Sequence, residues 1–259
     1  MVSVTALKIT TTARTASFRY PHVMVGRLPT YEMPPPATIY GHLCSVVGKW
    51  FDPTGLEFAY IFTHQGIGED LETAHVVEEA GNRRGINELG LPKNLEGSIN
   101  IQRRQFLLNV EMHLYVKGPS EMLNQLKIGF ISPVFSYILG RSQDLATCHS
   151  AIMVDLAAGQ RFFFSGTLLP WELRPYVTNG VPVLMPAKID YLNYREPTFA
   201  QYVQIGTRPL RIDLCEEGDD VLSSRPFEQA LVDANHHLEV RGVTYSRGLW
   251  FMPMRGVGN

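Results

Sequence analysis

The sequence predicts an α+β protein: a ferredoxin-like domain over residues 1–150 with an arm inserted at 66–105, then a β-rich region over 151–259. Three observations carry this expectation. Up to about residue 145, strand-like and helix-like segments alternate in the order β, α, β, irregular arm, β, α. The arm between Gly66 and Gln105 loses apolar periodicity, and glycines recur in it. Beyond Leu145 only short strand-like runs appear, with no helix-period segment of useful length.

Each element follows from local chemistry. Val2 to Arg19 alternates and is rich in Thr, Val and Ile, as a strand demands. The loop from Tyr20 to Pro36 ends in Pro34-Pro35-Pro36, which holds an extended conformation. Thr38 is placed to cap a helix running to Trp50, with Ile39, Leu43, Val46, Val47 and Trp50 at helical spacing. Leu56 to Thr63 reads as a strand bounded by Pro53, Gly55 and Gly66. The long arm reads as an excursion such as an extended hairpin, with Arg83-Arg84 near its middle and Arg103-Arg104 near its return. Phe106 to Val116 alternates as a strand; Pro119 opens a helix to Lys127, and Ser132 to Leu139 suggests a shorter helical turn. Further strands are expected at 151–156, 160–168, 183–191, 202–205, 240–245 and 249–252.

Composition bounds the function. The 259 residues carry 23 Lys and Arg against 25 Asp and Glu, a formal charge of -2. That balance argues against a protein that coats nucleic acid through general positive charge, but permits a local basic groove. No apolar stretch is long enough to span a membrane, and the N-terminus lacks the basic and apolar regions of a secretory signal. Cys44, Cys148 and Cys215 stand far apart, so neither a disulfide framework nor a four-cysteine zinc site is expected. A soluble, cytoplasmic protein is the expectation.

Catalytic and cofactor motifs are missing. There is no phosphate-cradling Gly-x-x-x-x-Gly-Lys-Ser/Thr, and Gly66-Ile67-Gly68 lacks the third glycine of a dinucleotide fingerprint. The tandem His236-His237 cannot place both rings on one face, so it makes no metal pair, and no cofactor or metal is expected. The run Glu216-Glu217-Gly218-Asp219-Asp220 reads as a solvated loop. RNA binding is better supported. Arginine combines bidentate phosphate donors with a plane that stacks on bases. Arg14, Arg19, Tyr20 and Arg27 interleave cations with an aromatic, as single-stranded RNA recognition prefers, and Arg83-Arg84 and Arg103-Arg104 lie on the two limbs of the arm. Gly140-Arg141-Ser142 offers backbone amides beside a guanidinium, a local phosphate seat. Taken singly, each cluster is more often a solubilised loop; their recurrence favours the functional reading.

Three segments carry a resemblance. Ala16-Ser17-Phe18-Arg19-x-Pro21 with Pro34-Pro35-Pro36-Ala37-Thr38-Ile39-Tyr40-Gly41 resembles the N-terminal signature of CRISPR-associated protein family five. Arg103 to Val110 resembles that family's returning thumb strand. Leu139-Gly140-Arg141-Ser142-Gln143-Asp144-Leu145-Ala146 resembles its Leu-Gly-Arg-Ser-Glu-x-x-Ala turn, with Gln143 where Glu is common. The match runs in order from about residue 5 to 150, in a style most similar to the type I-B branch. The resemblance implies an RNA-recognition-motif-like fold with a β-hairpin thumb at 66–105. It implies a non-catalytic subunit of Cascade, the type I RNA-guided complex of antiviral defence, that binds the 5′ handle of CRISPR RNA and caps the backbone filament. Partners would be the repeating backbone subunit, the large subunit and, through the complex, target DNA. Tyr40 joins the arginines as a handle contact. One branch of the family cleaves precursor RNA with a tyrosine beside a Lys-His pair; no Lys-His dipeptide occurs here. The alternatives are a metal-independent endoribonuclease using Tyr40 with His42 or His113, and a scaffold subunit that binds only protein.

Overall fold

The computed structural model describes residues 3–23, 26–79, 88–90, 94–215 and 225–256. Its strands are β1 (Val4–Ala16), β2 (Phe18–Arg19), β3 (Arg27–Leu28), β4 (Thr30–Tyr31), β5 (Glu57–Thr63), β6 (Gly66–Glu79), β7 (Asn94–Lys117) and β8 (Ala146–Ala158). The C-terminal half adds β9 (Arg161–Phe164), β10 (Thr167–Pro170), β11 (Val181–Asp190), β12 (Glu196–Ile205), β13 (Leu210–Asp213), β14 (Leu231–Val240), β15 (Val243–Leu249) and β16 (Met252–Pro253). Two α-helices are present among the described residues, α1 (Pro36–Val47) and α2 (Ser120–Ile131).

The expected α+β ferredoxin-like architecture is overturned. The protein is mostly β, built on an 11-stranded mixed sheet in the order β13-β9-β15-β14-β8-β1-β7-β5-β16, with β3 and β6 also paired to β7. The physical reason is the free edge of β8. β8 lies antiparallel to β1, and β14 continues from it through Leu231 and Val232. C-terminal strands thereby extend the N-terminal sheet. Smaller sheets, β10-β12-β11 and β2-β4, complete the strand pairing.

β1 is central, and its alternation separates two chemistries. Leu7, Ile9 and Ala13 belong to the main core, together with Ile39, Leu43 and Val46 of α1 and Leu123, Leu126 and Phe130 of α2. Burying each such aliphatic chain contributes roughly 1.5–3 kcal/mol. Ala6 and Lys8 point to the opposite face, where Ala6 packs with Tyr115, Leu156 and Leu249. On that face the Lys8 ammonium lies 2.7 Å from the Asp233 carboxylate, and the Tyr115 hydroxyl donates to the same oxygen at 2.7 Å. A third core, around Phe162, Phe164, Phe227 and Val203, fills the C-terminal end.

Several local expectations are also corrected. α1 begins at Pro36, inside the proline run, with no side-chain cap from Thr38. Proline is well placed there, since the first helical N–H has no partner to lose. The helix stops at Val47, so Trp50 lies outside it. No helix forms at 132–139; Ile138 instead makes an isolated bridge to Leu145. The single strand expected at 160–168 is two, β9 and β10, divided at Gly166 (φ +61°). A Cβ on Gly166 would stand 2.7 Å from the Phe62 carbonyl oxygen, which explains the glycine. The expected strand 240–245 spans a turn, because Arg241 and Gly242 take φ of +52° and +78° and join β14 to β15.

The arm's described limbs form a continuous antiparallel ribbon, paired from Gly66↔Leu108 to Glu79↔Asn94. Its base is fastened to the rest of the molecule by charge. Glu72 of β6 accepts from Arg141 Nη1 at 2.9 Å across to the turn after Leu139, and within the ribbon it lies 3.4 Å from Arg104 Nη1 of β7.

Candidate functional site

A cleft of about 410 Å³ opens where the end of β1, β2, α1, β7 and the turn after β11 converge. The proline run sets the entry of α1, and Tyr60 donates to the Pro34 carbonyl at 2.8 Å, fixing that entry to the sheet. α1 then presents Thr38, Gly41 and Ser45 to the cleft. Tyr40, buried, donates its hydroxyl to the Phe51 carbonyl at 2.6 Å and so holds the segment after the helix. That segment carries Trp50, half exposed, stacked on Tyr191 at 3.7 Å and 18°. The pair is a ready aromatic wall for a planar ligand.

The charges facing this wall are arginines: Arg19, Arg104 and Arg195 all line the cleft. Arg104 is 13% exposed, and its Nε donates to Ser17 Oγ at 3.2 Å. Burial, together with the positive charges of Arg141 and Arg19, pulls the Arg104 pKa down, while Glu72 acts against that shift. The largest cause is burial, so an anion entering the cleft would meet a guanidinium already largely stripped of water. His42 forms part of the floor. Burial holds its pKa down to about 4, so its ring is neutral at physiological pH, and its Nδ1 is buried without a hydrogen-bond partner.

The sequence-predicted residues separate into groups. Arg19, Tyr40, Arg104 and Gly140 meet at the cleft. Tyr20 lies beside it, stacked on Tyr31 at 3.7 Å, and burial followed by the Glu32 charge raises its pKa. Arg14 is exposed on β1 and donates to Asn109 at 3.4 Å. Arg27 pairs with Glu69 at 2.9 Å and lies in register with the exposed Arg103. Ser142 is exposed and directs its hydroxyl to Gln143. Arg83 and Arg84 lie outside the described residues.

Arg141 occupies a different environment from the open phosphate seat that the sequence suggests. Its guanidinium is 8% exposed and bidentate on Asp144, with Nε and Nη2 each at 3.0 Å, while Nη1 reaches Glu72. Burial opposes its charge, but Asp144 and Glu72 outweigh this and raise its pKa. Asp144 itself is fully buried and also accepts from Thr15 at 2.6 Å. The cluster therefore holds the Gly140 turn against β1. Gly140 has φ +112°, and a Cβ there would stand 2.1 Å from the Ser17 carbonyl oxygen, so only glycine permits this approach.

Sequence reasoning missed Trp50 as a cleft residue, along with Tyr191 and Arg195. A signal was present: Tyr191-Leu192-Asn193-Tyr194-Arg195 interleaves aromatics and a cation much as Arg19-Tyr20 does. Among the described residues no cluster of His, Cys, Asp and Glu is suited to hold a metal, and no helix is long and apolar enough to cross a membrane.

No protein-family model matches this sequence, and no curated protein matches it. Among solved structures, the chain is similar to one described as "CRISPR RNA-guided surveillance complex", with a TM-score of 0.51 and 14% identity over 85% of this chain and 97% of that one. It also matches a CRISPR protein from Archaeoglobus fulgidus (TM-score 0.43, 8% identity, 95% of this chain and 100% of that one). A third match, described as a Cas protein, has a TM-score of 0.38 and 13% identity over 80% of this chain and 94% of that one. The first of these likenesses shows a shared fold.

Proposed function

We propose that this protein is a CRISPR-associated subunit of an RNA-guided surveillance complex and that its arginine and aromatic cleft binds single-stranded RNA. The observation that carries the reading is the cleft itself: Arg19, Arg104 and Arg195 facing the stacked Trp50–Tyr191 pair. Guanidinium groups meet phosphates, and an aromatic wall meets bases regardless of sequence. The shared fold with a chain of a surveillance complex supports the same conclusion. The finer assignment rests on the sequence resemblance: a family-five subunit, in the style of the type I-B branch, that grips the 5′ handle and caps the backbone filament beside the repeating and large subunits. In this role the protein positions RNA and catalyses no step.

The test is RNA binding by Arg19→Ala and Trp50→Ala variants. Loss of Arg19 should lower the slope of log affinity against log salt by about 0.7 for a single strand. Loss of Trp50 should weaken binding by about 1–3 kcal/mol with little change in that slope. Unchanged affinity in both variants would remove the cleft from the RNA path.

A second reading, endoribonuclease, has one observation in its favour: a neutral His42 lines the same cleft as Tyr40. Against it, the Tyr40 hydroxyl is committed to the Phe51 carbonyl and its pKa is pushed up by burial. Specific cutting of repeat RNA in chelator would favour the nuclease; intact RNA under those conditions favours the binding role.

A further inference from the structure

The first cleft does not end at its arginines. A second recess of about 470 Å³ adjoins it, and Arg19, Ile189 and Arg195 line both. His22, Tyr194 and Phe199 contribute its aromatic surfaces, with the His22 and Phe199 rings edge to face at 6.1 Å. The divide between the recesses therefore carries two guanidinium groups. Elsewhere Arg27, Arg104, Arg141 and Arg161 each pair with a carboxylate. The guanidinium groups of Arg19 and Arg195 make no ion pair or hydrogen bond among the described residues. Like charges on one ridge repel, and an anion resting on it removes that cost.

The turn that supplies Arg195 is the second observation. Asn193 N–H donates to Asp190 and Glu196 N–H donates to Asn193 at 3.0 Å, closing a tight reversal between β11 and β12. Its central residues, Tyr194 and Arg195, have φ of +51° and +61°. Consecutive left-handed residues are the signature of a type I′ hairpin turn, where Asn-Gly is the unstrained choice. Here two bulky side chains occupy those positions, and Tyr194 is 100% exposed, so packing does not explain it. Strain retained without a packing return points to function.

We propose that the Arg19–Arg195 ridge is a phosphodiester clamp for single-stranded RNA, with one base against Trp50 and Tyr191 and the neighbouring base in the second recess against Tyr194, His22 and Phe199. The proposal rests on the RNA-binding reading above and adds the seat of a second nucleotide, supplied by the C-terminal half of the chain. The turn holds Tyr-Arg in place of Asn-Gly because the ligand requires them.

The decisive variant is Tyr194→Asn combined with Arg195→Gly, measured with uridine and adenosine homo-oligoribonucleotides as probes. Its thermal midpoint should equal or exceed that of the parent protein, because the strain is relieved. Its RNA affinity should fall by at least about tenfold, and its salt slope by about 0.7. Arg195→Gln keeps the side chain's reach without its charge and should show the same loss of slope, which covers the case in which the double variant folds poorly. If the parent binds and both variants bind within about twofold of it, the clamp is overturned and the RNA-binding reading stands. A parent protein that binds neither oligonucleotide overturns both. A double variant that loses thermal stability overturns the strain argument and makes the turn structural.

Discussion

Asp144 is fully buried, and Arg141 clamps its carboxylate with two nitrogens at 3.0 Å. Deleting the guanidinium leaves that charge without its partner, so Arg141→Ala should cost about 3–5 kcal/mol of unfolding free energy in denaturant titration. Wild-type stability in this variant would show that the cluster holds nothing. Two other groups set a pH response. His42 titrates near 4 in the fold against 6.5 unfolded, because burial penalises its charged form. The unfolded chain therefore takes up this proton first as pH falls. Stability is full above about pH 6.5 and should drop by up to about 3 kcal/mol toward pH 4. His42→Phe should flatten that stretch of the profile, read from thermal midpoints; an unaltered slope would contradict the assignment. Asp233 acts at lower pH. Burial opposes its charge, but hydrogen bonds from Lys8, Tyr115 and the Asn235 N–H hold its carboxyl far below the usual range. Its contribution is present above about pH 4 and is lost as pH falls further.

At the level of elements, the turn after Leu139 comes close to the backbone of Ser17, just past β1, and Gly140→Ala tests that approach. The added methyl would meet the Ser17 carbonyl and force an unfavourable backbone angle, so a loss exceeding about 2 kcal/mol is expected in thermal unfolding. Neutrality would mean the turn can move away from β1. Elements whose information is local were legible in the sequence. β5 and the apolar stripe of α1 follow from spacing, and α2 from its proline start. The Arg241-Gly242 turn also carried a local signal, but the apolar residues on either side of it read as one run. The sheet was hidden for a different reason. Nothing local in β8 says that β14 will pair with it at Ala157 and Ala158. The cleft was half legible on the same grounds. Arg19, Tyr40 and Arg104 stand in motifs, whereas Tyr191 and Arg195 reach the site only because β11 packs against α1.

For the whole molecule, a formal charge of -2 and an arginine-lined cleft are compatible because net charge says nothing of distribution, and three arginines converge on this one cleft. Binding should accordingly be local, with a salt dependence set by the few phosphates the cleft meets and shallower than that of a uniformly basic protein. The role proposed for this chain is that of the RNA-gripping subunit of a larger assembly. Its most direct test is to express the tagged protein with its genomic neighbours and a CRISPR array, purify it, and sequence the RNA that accompanies it. The expected result is a large complex containing uniform RNAs that share one 5′ end, with RNA content reduced by Arg19→Ala. Recovery of the protein alone and free of RNA, with the neighbouring subunits expressed, would contradict it.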